Sequence, residues 1–183
     1  MKVKLLAVIT LIAAACITAG CSAEKVFKDK DTGYQMNYDG TLWKVSKNTE
    51  VEEDFGTFTY SAVFNTIAKT EEGEPAATLK VLKEDLADFS VESDETAIDD
   101  VAGKLSRRLD DGLVSYQNAT IAGLKGYWMT VTPTDDSVTE LNDLIFCVTD
   151  DAVYEFYYTA QGQENYDAYE SDINYMLYYF SEL

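Results

Sequence analysis

Histidine is absent from all 183 residues. A Ser-His-Asp or Cys-His catalytic site therefore cannot be built, and neither can a His-ligated zinc, haem or copper centre. Cysteine is nearly as scarce, with only Cys16, Cys21 and Cys147. Cys16 lies inside an apolar amino-terminal run and Cys21 ends it; were that run removed and Cys21 modified, Cys147 would have no partner for an intramolecular disulfide. A Cys-only zinc site or an iron–sulfur cluster is excluded within one chain for the same reason. Cys147 sits in Leu144-Ile145-Phe146-Cys147-Val148, apolar on both faces, so a buried inert thiol is expected. No Gly-x-Gly-x-x-Gly or phosphate loop occurs, and no cofactor is expected. Basic residues are few: 14 Lys and Arg stand against 33 Asp and Glu, a net charge of -19. Such a surface repels nucleic acid and anionic lipid, so neither is an expected partner. The acidity has two readings, cation binding or a soluble, non-adhesive exterior, and the second is preferred.

The chain also lacks a long hydrophobic run. Leu5 to Gly20 would reach only about 24 Å as a helix, against a hydrocarbon core of roughly 30 Å. It follows a short basic segment, Met1-Lys2-Val3-Lys4, and it ends in Ile17-Thr18-Ala19-Gly20-Cys21. Basic, apolar and small-residue regions in that order read as a secretory signal, with an uncleaved anchor as the alternative. The closing cysteine resembles the lipobox of bacterial lipoproteins. That resemblance implies cleavage before Cys21, diacylglycerol on its sulfur, and a domain held at the outer face of a bacterial cell membrane. An outer membrane is the alternative in a Gram-negative cell. Two acyl chains anchor stably where one does not. The expected organisation is a signal peptide over residues 1–20, a lipidated cysteine and short tether over 21–25, and a single globular domain over 26–183.

Within that domain, Tyr34-Gln35-Met36-Asn37-Tyr38 alternates and Asp39-Gly40 turns the chain into Trp43-Lys44-Val45. Tyr60, Ala62 and Phe64 are expected on one strand face, Thr70 to Glu74 in a turn, and Ala77 to Leu82 in the next strand. Ser93-Asp94-Glu95-Thr96 reads as the cap of a helix running to Asp111 and stopped by Gly112. Its apolar stripe is Ile98, Val101, Ala102, Leu105 and Leu109, all on one face at 100° per residue. Three strands follow, at Leu124–Thr132, Val138–Thr149 and Ala152–Ala160, and then a helix from Gln163 to Phe180. The central strands are apolar on both faces, which an antiparallel sheet with one wet face would not be. Both faces are expected to be covered.

Three stretches carry a resemblance to a known fold. Gly33-Tyr34-Gln35-Met36-Asn37-Tyr38 followed by Trp43 resembles the opening of PsbP-like domains, with Asp39 where that family often has proline. Ala119-Thr120-Ile121-Ala122-Gly123-Leu124-Lys125-Gly126-Tyr127 resembles their mid-domain hairpin. Tyr154-Glu155-Phe156-Tyr157-Tyr158-Thr159-Ala160, then Tyr166, Tyr169, Ile173, Phe180 and Ser181, resembles their final strand and helix. The resemblance spans about residues 26–183. It implies an α+β fold, an α/β/α sandwich with a central, mostly antiparallel sheet and two main helices. It also implies an accessory role without enzymatic activity, although fold alone says little about function.

Four constellations could carry chemistry. The Asp and Glu residues would allow a carboxylate-dependent hydrolase, but nothing in the sequence selects a pair. Asp29-Lys30-Asp31-Thr32-Gly33 begins like a cation loop, yet the calcium spacing would place glutamate at position 40, where Gly40 stands, so a turn is expected. Looser calcium binding by Asp135 and Asp136 is an alternative. Lys104, Arg107 and Arg108 form a basic cluster on the outer part of the first helix, explained by local pairs with Asp100 and Asp111. On the last helix Tyr166, Tyr169, Ile173, Met176, Leu177 and Phe180 share the core face. Tyr175, Tyr178 and Tyr179 fall on the other side at neighbouring positions. These three are the candidate binding residues, and Cys21 is the lipidation site. The functional expectation is a non-enzymatic, lipid-anchored interaction module that engages a protein or glycan, with a calcium- or small-ligand-binding lipoprotein as the alternative.

Overall fold

The computed structural model describes residues 23–53, 56–91, 96–109, 113–132 and 140–183. Cys21, the segment before it, the cap at Ser93-Asp94-Glu95, Asp110 to Gly112 and the pair Asp135 and Asp136 lie outside the described residues. Ten strands and two helices follow in order: β1 Glu24–Asp29, β2 Tyr34–Asp39, β3 Trp43–Glu53, β4 Gly56–Thr66, β5 Ala77–Asp85, α1 Ala97–Leu105, β6 Leu113–Ile121, β7 Leu124–Thr132, β8 Glu140–Val148, β9 Ala152–Gln161, α2 Gln163–Tyr178 and β10 Ser181–Glu182. A short 3-10 turn, Leu86–Phe89, separates β5 from α1.

Seven strands form one antiparallel sheet in the order β3-β4-β5-β9-β8-β7-β6. The doubly apolar central strands supply a core on each side. On one face Ile145, Cys147, Tyr154, Phe156 and Tyr158 meet Ile173, Met176 and Leu177 of α2. On the other, Met129, Leu144, Phe146 and Val153 meet Val101, Ala102 and Leu105 of α1, together with Phe89. The layers are therefore those expected of an α/β/α sandwich. The α2 layer is shared with a small sheet, β1-β2-β10, whose Tyr34, Met36 and Tyr38 face the same core.

Several boundaries differ from the sequence expectation. Glu24 and Lys25 belong to β1, paired with Asp39 and Tyr38, rather than to a tether. β6 is a strand in its own right, paired along its length with β7. Helix α1 ends at Leu105 because the following residues tighten into turns, with Arg108 N donating to Leu105 O, while the Arg108 side chain is drawn onto the sheet. Helix α2 ends at Tyr178, and the chain then lays Ser181 and Glu182 against Gln35 and Tyr34 of β2. Tyr60 does not share a face with Ala62 and Phe64: it packs in the α1-side core and they pack in the α2-side core. The alternation breaks at Ser61, whose hydroxyl donates to Val81 O at 3.0 Å and lies 2.9 Å from Tyr34 Oη. Across the pair, Asn48 has φ 47. A side-chain bond here replaces regular ladder geometry, so the next side chain flips to the other face.

The hairpin between β6 and β7 turns through Ala122 and Gly123, at φ 50 and 90. Both central residues lie in the left-handed region, as a type I′ turn requires. Gly126, four residues on, is needed for a different reason: a Cβ there would lie 1.8 Å from Phe146 O. The backbones of β7 and β8 approach too closely for any side chain. Gly126→Ala is expected to lose about 3 kcal/mol, a melting temperature lower by roughly 6–12 °C. Gly103→Ala, in an exposed helical position with nothing within 4 Å, is expected to gain about 0.5–1 kcal/mol. Thermal melts of the two variants against the parent check both signs.

Candidate functional site

Helix α2 opens at Gly162, with Asn165 Nδ2 donating to Gln161 O at 2.6 Å. Its apolar residues recur at helical spacing, so Ile173, Met176 and Leu177 are buried and the opposite side is left to solvent. That side carries Tyr175, Tyr178 and Tyr179, exposed by 36%, 72% and 46%. The rings contact one another: Tyr175 and Tyr179 are 4.8 Å apart between centroids, and Tyr178 and Tyr179 are 4.9 Å apart. Four-residue spacing brings Tyr179, the residue that caps α2, over Tyr175, and Tyr178 is its neighbour in the chain.

The tyrosines stand between two depressions. Tyr178 lines a groove of about 380 Å³ with Asn174, Gln117, Thr120, Trp128 and Ile145. Tyr175 borders a smaller acidic hollow with Glu24, Asp39 and Asp172. Desolvation and a hydrogen bond to the Glu24 carboxylate raise the Tyr175 hydroxyl above the ordinary tyrosine value. Trp128 is held in place from below: its Nε1 donates to Asp143 Oδ2 at 2.5 Å, and Tyr166 Oη donates to the same oxygen. Asp143 is itself buried, and burial raises its carboxyl. Sequence reasoning picked out the tyrosines but missed the groove, because Gln117, Thr120 and Trp128 reach it from strands distant in the chain.

A second cluster gathers acids. Arg108 grips Glu84 with two nitrogens, Nη1 to Oε2 at 2.5 Å and Nη2 to Oε1 at 3.2 Å, and reaches Glu155 Oε1 at 3.3 Å. Tyr157 Oη donates to Glu155 Oε2 at 2.6 Å. Glu155 is fully buried; burial first, then the hydrogen bond and charge of Glu84, push its carboxyl well above the ordinary range. Burial pulls Glu84 upward too, but the hydrogen bonds from Glu155 and Arg108 outweigh it and its carboxyl ends below that range. Burial thus favours the neutral form of Glu155, while Arg108 favours the charged form of Glu84. Phe58 and Phe89 flank the Arg108 guanidinium at 5.7 and 5.5 Å, closing the cluster beneath α1. Two acids are adjacent here without a described cleft above them, and their oxygens are occupied by Arg108 and Tyr157.

This cluster corrects the reading of the basic residues as one outward patch. Arg108 points to the sheet, Lys104 Nζ donates to Asp88 O over the Phe89 ring, and Arg107 Nε donates to Gly103 O at 3.0 Å. The Asp29 loop is a turn: its carboxylate accepts from Asp31 N at 3.1 Å and Thr32 Oγ1 at 2.7 Å. Cys147 is buried, and burial pushes its thiol up to about 12, so it is not a nucleophile at neutral pH. Among the described residues, no three His, Cys, Asp or Glu side chains are placed to hold a metal ion. Among them, too, no helix is long and apolar enough to cross a membrane.

Comparison with family models gives no match, and no curated protein is similar in sequence. Solved structures do match. The solution structure of cyanobacterial PsbP (CyanoP) from Synechocystis superposes with a TM-score of 0.61 at 14% identity, over 92% of this chain and 98% of that one. The fold is PsbP-like. A crystal structure from Bacteroides thetaiotaomicron has a TM-score of 0.53 at 12% identity, covering 87% of this chain and 48% of the other. LpqN, involved in cell envelope biogenesis of Mycobacterium tuberculosis, has a TM-score of 0.53 at 11% identity, covering 86% and 89%. At these identities the likeness is one of fold.

The buried acid cluster sets a pH dependence. A carboxyl raised in the native state holds its proton after the unfolded chain has lost it, so stability falls as pH rises above about 4.3 toward the native value. Glu155→Gln removes that titration while keeping a hydrogen-bonding side chain. Denaturant melts are expected to show a flatter stability profile from pH 5 to 8 than the parent. Arg108→Ala leaves the acids unpaired and is expected to lose about 3–5 kcal/mol at pH 7.

Proposed function

We propose that this chain is a non-enzymatic accessory domain of the bacterial cell envelope. In this reading diacylglycerol on Cys21 fastens it outside the membrane, and Tyr175, Tyr178 and Tyr179 engage a protein or glycan. The observation that carries the contact role is the tyrosine cluster: the Tyr179 ring touches those of Tyr175 and Tyr178, off the core face, beside a groove lined by Trp128, Asn174 and Gln117. Tyrosine gives a large, rigid contact area with a polar tip, and it is enriched at interaction surfaces. Amide groups beside aromatic rings suit the alternating polar and apolar faces of a sugar or a peptide.

The anchor reading rests on the order of residues 1–21 and gains support from the position of β1. Strand β1 starts at Glu24, so only Ser22 and Ala23 separate it from Cys21. The reach from that sulfur is about 10 Å. A domain so tethered lies against the bilayer, and its strong negative charge holds it off anionic headgroups. The PsbP-like fold agrees with an accessory role, and the similarity to LpqN agrees with an envelope setting.

Two measurements test the reading. Replacing all three tyrosines with alanine is expected to leave the melting temperature within about 3 °C, since surface changes cost little. The same variant is expected to recover at least about tenfold less partner from intact envelopes than the parent does. Equal recovery would remove the tyrosines from the proposal. Mass spectrometry of the chain from its own cell is expected to find Cys21 amino-terminal and diacylated, and Cys21→Ser is expected to release the domain from the membrane fraction. An unmodified residue 21 would falsify the anchor.

A further inference from the structure

The two edges of the large sheet are built differently. β3, at one end, presents exposed Lys44, Lys47, Glu50 and Glu52 and is bent at Asn48. Charge and irregularity of this kind keep a foreign strand from adding to an edge. β6, at the other end, has neither. Its sequence, Leu113-Val114-Ser115-Tyr116-Gln117-Asn118-Ala119-Thr120-Ile121, contains no Asp, Glu, Lys, Arg or Pro. It runs in continuous register with β7, without a skipped residue. Among the described residues nothing pairs with its outer side. α1 packs over β7 and β8, and α2 packs over β5 and β9, so β6 projects past both helices. Hollows of about 380 and 440 Å³ flank it, one with Trp128 and Tyr178, the other with Tyr116 and Tyr127.

We propose that β6 joins two copies of this chain, antiparallel and centred on Gln117, so that two seven-stranded sheets become one. Charge selects the occupant. A chain of net charge -19 repels its own copy at an acidic surface, and β6 is a nine-residue edge where two copies meet without opposing carboxylates. An acidic protein that recruited a different, basic strand would keep carboxylates along that edge, because charge complementarity steers such encounters. The register about Gln117 is self-complementary. Val114 faces Thr120, a pair of β-branched residues; Tyr116 faces Asn118; Ser115 faces Ala119; and the two Gln117 amides meet at the two-fold axis. Nine paired residues make about eight backbone hydrogen bonds, close to the number in a standard interface. The flanking hollows give Tyr116 and its neighbours room on both faces of the joined sheet. The pairing edge adjoins the groove beside Tyr178, with Gln117 common to both, and the pairing does not depend on lipid on Cys21.

Two differently tagged copies of the full chain, co-expressed in a bacterial envelope, test the proposal. Gln117→Cys is expected to give a disulfide-linked homodimer on mild oxidation. Ser46→Cys, on the opposite edge, is expected to give at least about tenfold less, whereas copies merely crowded on a membrane would cross-link equally from both edges. Gln117→Lys sets like charges against each other at the axis and is expected to cut co-isolation of the two tags at least about tenfold. At a dilution where both proteins are monomeric its melting temperature should match the parent's, since the position is exposed in a single copy. The proposal is overturned if Gln117→Cys cross-links no better than Ser46→Cys. Capture of a different polypeptide at Gln117→Cys in place of the homodimer, or undiminished co-isolation with Gln117→Lys, overturns it as well.

Discussion

The structure depends on a sheet that is apolar on both sides. Leu144, Phe146 and Val153 face one way, and Ile145, Cys147, Tyr154 and Phe156 the other. Neither side can meet water without exposing several large side chains, each worth about 1.5–3 kcal/mol when buried. Every other element answers that demand. α1 and the Leu86–Phe89 turn cover one side, and α2 with the small sheet covers the other. The second cover is larger because one helix is not wide enough for the rings beneath it. Tyr34 and Phe27 of the small sheet complete it through edge and tilted ring contacts with Tyr154, Phe180 and Phe64.

Charge is handled in two ways. Most acidic side chains among the described residues are solvated. Asp29, Asp143 and Glu155 are buried instead, and Glu155 lies on the central strand β9 of the large sheet. The burial of Glu155 is tolerated because Tyr157 donates to it and because Arg108 spans it and Glu84. The same contacts fix the end of α1, since the Arg108 side chain can reach Glu84 only if the helix stops short of it. Polar pairing in the interior thus decides a helix boundary that the apolar stripe alone would extend.

Much of the fold was legible in the sequence where burial imposes a period. The alternation of Tyr34, Met36 and Tyr38, the stripe Val101, Ala102 and Leu105, and the face Ile173, Met176 and Leu177 all stand as read. The misreadings fall where burial is weak or local bonding intervenes. β1 hides only Phe27 and Asp29, so Glu24 and Lys25 looked like tether. β6 lies beyond both helices, so its polar residues carry no strong alternation. The flip between Tyr60 and Ala62 depends on a hydroxyl bond from Ser61 to another strand, which no periodicity encodes. Of the candidate site, the tyrosines were legible because helical spacing sorts them from the core face. The groove beside them was not, because strand order in the sheet, rather than order in the chain, brings Trp128 and Gln117 to Asn174.

The small sheet contains both ends of the described chain: β1 on one side of β2, and β10, the last pair of residues before the terminus, on the other. Phe180, immediately before β10, packs on Tyr34, Tyr154 and Phe156. The β1–β2 hairpin therefore has no finished site to dock into until Phe180 and β10 are in place, so this core closes only when segments nearly the whole described chain apart have met.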